Sequence, residues 1–382
     1  MQITIENYEE ERKKLAEWNS YLQGVVLRDA ERCADEYLKT LKAQYAAACS
    51  GSIPYEMPTL LDKTIHESAL YRFCDAMPKG AELHVHDMAL LPAEELIRLL
   101  RTCPEFCING DRISYNLITV APGEPVPRGY LPFAEAVDTG YYSEEELVYN
   151  WTTESAAASG KNVWAYFEEL FTRHAVLSDN PSFAEKYYDY AFRYCIRRGI
   201  LHVEIHLMLT ESPEASSEYV KAVRRAYYRV RGDYPYFTLR IIGAGAKSDT
   251  EKIEFTKRCF LNASFVQETV KDEWDPQKPK NLIIGFDLVN EEDTSLPLKA
   301  FAPMLLKVKR QYPDMKLYIH GGESIDAGNE NLIDAYLLGV SRVGHGLNLH
   351  RYPDLHARYV KAEICLEVCP ISNQRLGYTR DL

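Results

Sequence analysis

Seven short apolar runs, the first five each followed by a stretch of helical period, constrain this chain more than any other feature of its sequence. The runs lie at 81–86, 200–209, 238–244, 281–289, 316–320, 341–345 and 364–368. Helices are expected at 93–101, 163–174, 182–198, 214–230, 249–270, 297–311 and 329–338. Strands that alternate with helices pair in parallel, because a parallel connection needs a crossover of a dozen or more residues. Such a sheet either closes as a barrel or stays open and doubly wound. No glycine-rich phosphate loop follows the first run, which disfavours the nucleotide-cofactor form of open sheet. The expected fold is therefore α/β, a TIM-type (β/α)8 barrel with seven strands inside the chain and its C-terminal part cut short at Leu382.

Two stretches break this rhythm. Residues 1–77 are charged and helical in period, with Leu15, Trp18, Leu22, Val26 and Leu27 spaced for one face, and they read as a helical region that either caps the barrel or serves as a homodimerisation arm. Residues 78–382 form the barrel, and within them 102–158, with five prolines between 104 and 132, reads as an insertion lying over the site. A net charge of −12 without a basic run argues against nucleic acid or an anionic membrane surface as partner. No apolar stretch approaches a membrane span, and the start MQITIENYEEERKK has neither the basic nor the apolar part of a signal peptide. Nine cysteines scattered over 382 residues fit reduced thiols, so the expected location is cytoplasmic.

The chemistry gathers where the runs end. His84 and His86 stand at i and i+2, so both imidazoles leave the same side of the first strand and can converge on one ion. His320, in HGGES, ends the fifth run and His345, in RVGHG, the sixth. In parallel α/β folds, residues at the carboxyl ends of strands form the site. Three neutral histidine nitrogens from two strands suit zinc with a position left open, and such an ion lowers the pKa of bound water toward about 7. Glu323 can carry a proton if its surroundings raise its pKa, and His345 can shuttle one. Asp287, Glu367 and Cys369 also sit near strand ends, where loop hydrogen bonding and a role in the site are both open. His202 and His206 alternate with apolar residues on the second run and read as core or rim histidines.

Five ordered motifs carry a resemblance: Pro78-Lys79 with Glu82-Leu83-His84-Val85-His86, GFDLVNEED from 285, HGGES from 320, RVGHG from 342 and EVCPISNQ from 367. In order and spacing they resemble the adenosine deaminase family, and MPKG, HVHD and CPISNQ are similar to its secreted, growth-factor-related adenosine deaminase 2 branch. The resemblance implies a metal-dependent hydrolase barrel that converts adenosine or 2′-deoxyadenosine to the inosine product and ammonia with one zinc per chain. It implies His84, His86 and His320 as metal ligands, Glu323 as the acid that protonates purine N1, and His345 as the base that orients and deprotonates water. Asp87 and Trp164 match positions that meet the nucleoside, and Asn290 stands where the family has a glycine whose backbone approaches the base. Ala246 stands where the branch has a substrate-facing histidine, while the family's fourth metal ligand, an aspartate at the end of the eighth strand, falls beyond Leu382. The rival expectations are a deaminase of another adenine-containing compound and a non-catalytic protein that binds a nucleoside or a partner.

Overall fold

The computed structural model describes residues 26–49, 63–178, 180–210, 212–247, 252–272 and 280–379, together with 10, 12 and 13. Leu15, Trp18 and Leu22 of the expected first helix lie outside the described residues, as do the loop at 50–58 and the start of the helix expected at 249. Described residues up to Asp75 form one compact unit, and those from Ala76 onward form another. In the first unit the helix Asp29–Ala48 is exposed along most of its length and buries Leu41, while Tyr37 meets Phe73 edge to face at 5.8 Å.

The second unit is built on seven strands, which we label β1 (Gly80–His86), β2 (Ile200–Met208), β3 (Thr238–Ala246), β4 (Ile283–Val289), β5 (Lys316–Gly321), β6 (Arg342–His345) and β7 (Cys365–Glu367). They pair in chain order and all in parallel, giving one sheet β1 to β7. The sheet curls into a nearly closed barrel: His84 of β1 and Glu367 of β7 touch across the interior at 2.7 Å. The runs become strands for the expected reason. In β2, Val203, Ile205 and Leu207 are fully buried on one face, while Glu204 and His206 leave the other. β4 reads IIGFDLV and is buried almost throughout, as a strand covered on both faces should be.

Helices pack outside the sheet and are started by local chemistry. Asn180 accepts the N–H groups of Ser182 and Phe183 at 3.1 Å and begins Pro181–Arg197, and Ser212 accepts the N–H of Ala215 at 3.1 Å to begin Pro213–Asp233. A proline at the first helical position costs nothing in either case, because its missing N–H has no partner there anyway. Tyr187, Tyr188, Phe192 and Phe237 are fully buried and fill the layer between these helices and the sheet. The insertion is more ordered than its prolines suggested. Phe106–Asn109 pairs in antiparallel fashion with Leu117–Thr119 and Tyr130–Pro132, followed by short helices at Phe133–Asp138 and Glu144–Asn150. The helix Pro353–Lys361 between β6 and β7 was not foreseen in the sequence. Among the described residues no helix is long and apolar enough to cross a membrane.

Candidate active site and metal centre

Because the strands run parallel, their carboxyl ends meet at one mouth of the barrel, and the predicted metal ligands meet there too. His86 of β1 and His320 of β5 bring their Nε2 atoms to 3.2 Å, and the ring of His84 lies 4.6 Å from that of His320. Gly344 of β6 makes the room. A Cβ there would stand 2.9 Å from His84 Cε1 and 3.2 Å from His320 Nδ1, so only glycine lets both rings fill the space.

The residues fit a metal ion. Two unprotonated ring nitrogens facing each other at 3.2 Å repel unless something positive lies between them, and the spacing suits two donors on one ion at about 2.0–2.1 Å. His84 Nε2 is buried without a hydrogen-bond partner, which leaves it too as a donor. Carboxylates hold the opposite ring edges: Glu367 Oε2 is 2.7 Å from His84 Nδ1, and Asp287 Oδ2 is 2.7 Å from His320 Nδ1. Carboxylates in that position fix the tautomer and aim Nε2 at the metal. Burial, helped by His320 and His206, lowers the pKa of His84 to about 2, and the same effects put His86 well below the usual histidine value. Both stay neutral, the form that binds metal. Burial pushes Asp287 upward, but His320 and His206 outweigh it and hold the carboxyl well below its ordinary value.

Glu323 follows β5 and is almost wholly buried. Burial raises its pKa to about 8, against the attraction of Lys247 and with the help of Glu292 and Asp293. Its backbone is fixed by Glu292, whose carboxylate accepts the N–H of Glu323 at 2.6 Å and that of Gly322 at 3.2 Å. His345 lies beside it, Nδ1 at 3.3 Å from Glu323 Oε1 and at 2.6 Å from the Asn373 amide oxygen. With Nδ1 donating to Asn373, the free acceptor is Nε2. Burial first, then His320, holds His345 well below the ordinary histidine pKa. The residue sits at φ 66°, a left-handed conformation that non-glycine residues adopt at a cost, as functional positions often do.

The three residues expected to meet substrate divide. Trp164 donates from Nε1 to the Tyr378 hydroxyl at 2.6 Å; burial raises the pKa of that tyrosine, and the charge of Glu323 adds to it. Asp87 is half-buried as a residue, and desolvation of its carboxyl raises it to about 6, with that carboxylate engaged by the Tyr188 and Tyr219 hydroxyls. Asn290 follows β4 at φ 112°, which suits the glycine of the family pattern better than an asparagine. Asn290→Gly is therefore expected to stabilise the fold by about 1 kcal/mol through strain relief, read as a higher melting temperature; a lower one would show that the Asn290 side chain outweighs its backbone cost.

Four residues of this site were missed in the sequence. Lys247, fully buried, donates Nζ to the His320 carbonyl at 3.1 Å, and Glu292 cradles the turn before Glu323. Asn373 orients His345. His206, read as a core or rim histidine, is indeed buried, but its Nδ1 donates to Asp287 at 2.7 Å in the middle of the cluster. Glu292 and Asn373 lie inside the quoted motifs GFDLVNEED and EVCPISNQ, and that was the available signal.

Residues 242–382 match the sequence model of a family described as adenosine deaminase. Over most of the chain the sequence is 24% identical to adenosine deaminase 2 of Dictyostelium discoideum (99% of this chain, 72% of that protein) and 27% identical to adenosine deaminase 2 of Homo sapiens (94% and 73%). The chain is thus similar to adenosine deaminases over most of its length, and these matches support a hydrolytic deaminase. Solved structures share its fold. An adenine deaminase of Arthrobacter aurescens superposes with a TM-score of 0.50 at 20% identity, over 79% of this chain and 75% of that one. The apo N6-methyl-AMP deaminase of Arabidopsis thaliana superposes with a TM-score of 0.51 at 13% identity, over 81% and 76%. An amidohydrolase of Burkhoderia ambifaria with bound Zn gives a TM-score of 0.51 at 15% identity, over 86% and 75%.

Proposed function

We propose that this chain hydrolyses adenosine or 2′-deoxyadenosine to inosine or 2′-deoxyinosine and ammonia, with one zinc ion held by His84, His86 and His320. The observation that carries the reading is Glu323, a buried carboxyl with a pKa near 8 beside both a neutral histidine and the three-histidine cluster. When bound, zinc supplies Lewis-acid activation of water near neutral pH. Glu323 holds a proton at pH 7 and gives it to purine N1, which makes C6 electrophilic. His345, through Nε2, takes a proton from the attacking water while Asn373 holds its ring. His345 then returns that proton to the C6 amino group, which leaves as ammonia, while the proton of the added hydroxyl goes back to Glu323 and the purine ring is left with a carbonyl oxygen at C6. Trp164 and Tyr378 enclose this side of the site, and Asp87 and Asn290 are assigned to the nucleoside. The N-terminal region is assigned to homodimerisation, with the protein in the cytoplasm.

A second reading, a deaminase of another adenine-bearing compound, is favoured by Asn290 and Ala246, the positions that depart from the family pattern. Amine release with added zinc, ammonia from adenosine, 2′-deoxyadenosine and adenine and methylamine from N6-methyladenosine, separates the two. The nucleosides should be turned over, and kcat/KM should fall above about pH 8 by roughly tenfold per pH unit as Glu323 loses the proton it must donate. Turnover of adenine or N6-methyladenosine alone would favour the second reading, and no amine from any of them would remove both.

A further inference from the structure

Lys247 is a buried cation at this mouth that the chemistry above leaves without a task. It directly follows β3, where its backbone N–H donates to the Val289 carbonyl at 2.9 Å and its carbonyl accepts the Leu296 N–H at 3.0 Å. The side chain is 1% exposed and crosses the end of β4 to reach β5, where Nζ donates to the His320 carbonyl at 3.1 Å. An ammonium has three N–H groups, and among the described residues no carboxylate pairs with this one. Burying a cation on a single neutral partner is costly, and a lysine kept for structure alone would take a carboxylate or reach water.

The charge is fixed to the strand that carries the acid. His320 stands three residues before Glu323, and of the charged groups that act on Glu323 Lys247 acts most strongly, against the rise that burial causes. From the loop after β4, Glu292 and Asp293 reinforce that rise. At the end of β6, His345 Nδ1 lies 3.3 Å from Glu323 Oε1, and the ring is kept neutral by burial first, then by His320, with Lys247 adding to the effect. After β7, burial and then the Glu323 charge push up the Cys369 thiol and the Tyr378 hydroxyl. Among these side chains Lys247 is the cation, and the carboxylate left behind when Glu323 gives up its proton is otherwise met by neutral or acidic groups.

We infer that Lys247 is a further positioning residue of this site, a fixed ammonium that stabilises the carboxylate Glu323 becomes on giving its proton to the purine, and so makes a deeply buried carboxyl a usable acid. The inference rests on the reading of Glu323 as the acid. Lys247 acts through Glu323 and needs no contact with substrate. The proton passes from the Glu323 carboxyl to N1, and Glu323 is reprotonated from the added hydroxyl, while Lys247 keeps its own protons throughout.

The test reads the Glu323 proton directly in the zinc-loaded protein. The infrared band of its protonated carboxyl is the one that disappears in Glu323→Gln, and the loss of that band with rising pH gives the midpoint without any turnover. Lys247→Met removes charge and donor, Lys247→Gln removes the charge but keeps an N–H for the His320 carbonyl, and Lys247→Arg keeps the charge. In both neutral variants, or in whichever of them folds, the midpoint should rise by about one pH unit or more, because loss of a nearby positive charge favours the protonated carboxyl. In Lys247→Arg it should stay near the parental value. For adenosine, the upper limb of kcat/KM should move up with the midpoint, and kcat should fall by about 10-fold while KM holds, since a weaker acid gives its proton less readily. A parental or lower midpoint in the neutral variants would overturn the role of Lys247 and leave Glu323 as the acid. A midpoint that rises as far in Lys247→Arg as in Lys247→Met would overturn it too, because fit rather than charge would then set the acid. The infrared result stands whether or not adenosine is turned over, which separates failure of this inference from failure of the deaminase reading.

Discussion

Glu323→Gln should lower kcat/KM for the turned-over nucleoside by about 100-fold or more, or about 2.7 kcal/mol of transition-state stabilisation, while zinc affinity stays at the parental level. Glutamine keeps the shape and can still accept the hydrogen bonds of the pocket, but it has no proton to give to N1. None of the contacts that hold the metal cluster passes through the Glu323 carboxyl. His84 is braced by Glu367, and His320 and His206 by Asp287. The substitution should also flatten the dependence of stability on pH. The Glu323 pKa rises from 4.5 to about 8 on folding, so the folded chain binds the extra proton, and its stability is full below pH 4.5 and declines as pH rises through about 8. Glutamine removes that decline. A variant with parental kcat/KM would show that the proton comes from elsewhere.

The fold was legible because its repeat is: seven apolar runs at crossover spacing leave little but a parallel barrel, and each run became a strand within a few residues of its expected bounds. The exceptions follow from the physics of local signals. The helix Pro353–Lys361 is short and buries only Tyr359, so little apolar periodicity marks it. The small antiparallel sheet of the insertion has strands of three and four residues, too short for an alternation to register. The site was legible where one strand carries two of the clustered residues, as β1 carries His84 and His86. His206 and Lys247 were not, because their place beside His86 and His320 depends on pairing between strands far apart in sequence. Strand parity puts Glu204 and His206 on one face of β2, but parity alone does not say that the face is the barrel interior.

Asp287 holds more of the centre than any predicted ligand, and its replacement should show the largest combined effect on stability and metal binding. It is fully buried, and its two oxygens accept the His320 backbone N–H at 3.0 Å and the His206 Nδ1–H at 2.7 Å while lying 2.7 Å from His320 Nδ1. Asp287→Ala strands those donors away from water, at about 1–3 kcal/mol for each unsatisfied group, so a loss of about 3–5 kcal/mol is expected in denaturant unfolding. Zinc affinity should fall by about 10-fold to 100-fold, since the ring tautomers are no longer set. Asp287→Asn separates the two effects. Its amide oxygen can still take one N–H, so much of the stability returns, but its NH2 must face a second donor, so one imidazole turns or changes tautomer and zinc remains weak. The acid limb checks the charge itself. With the folded pKa far below 3.8, the stabilisation from this carboxylate is present above pH 3.8 and is lost only as pH falls through the lower folded value, and in Asp287→Asn that part of the acid unfolding should disappear. If Asp287→Ala unfolds at the parental denaturant concentration, the aspartate is not the brace of these two histidines, and their orientation must come from the packing of the rings around Gly344.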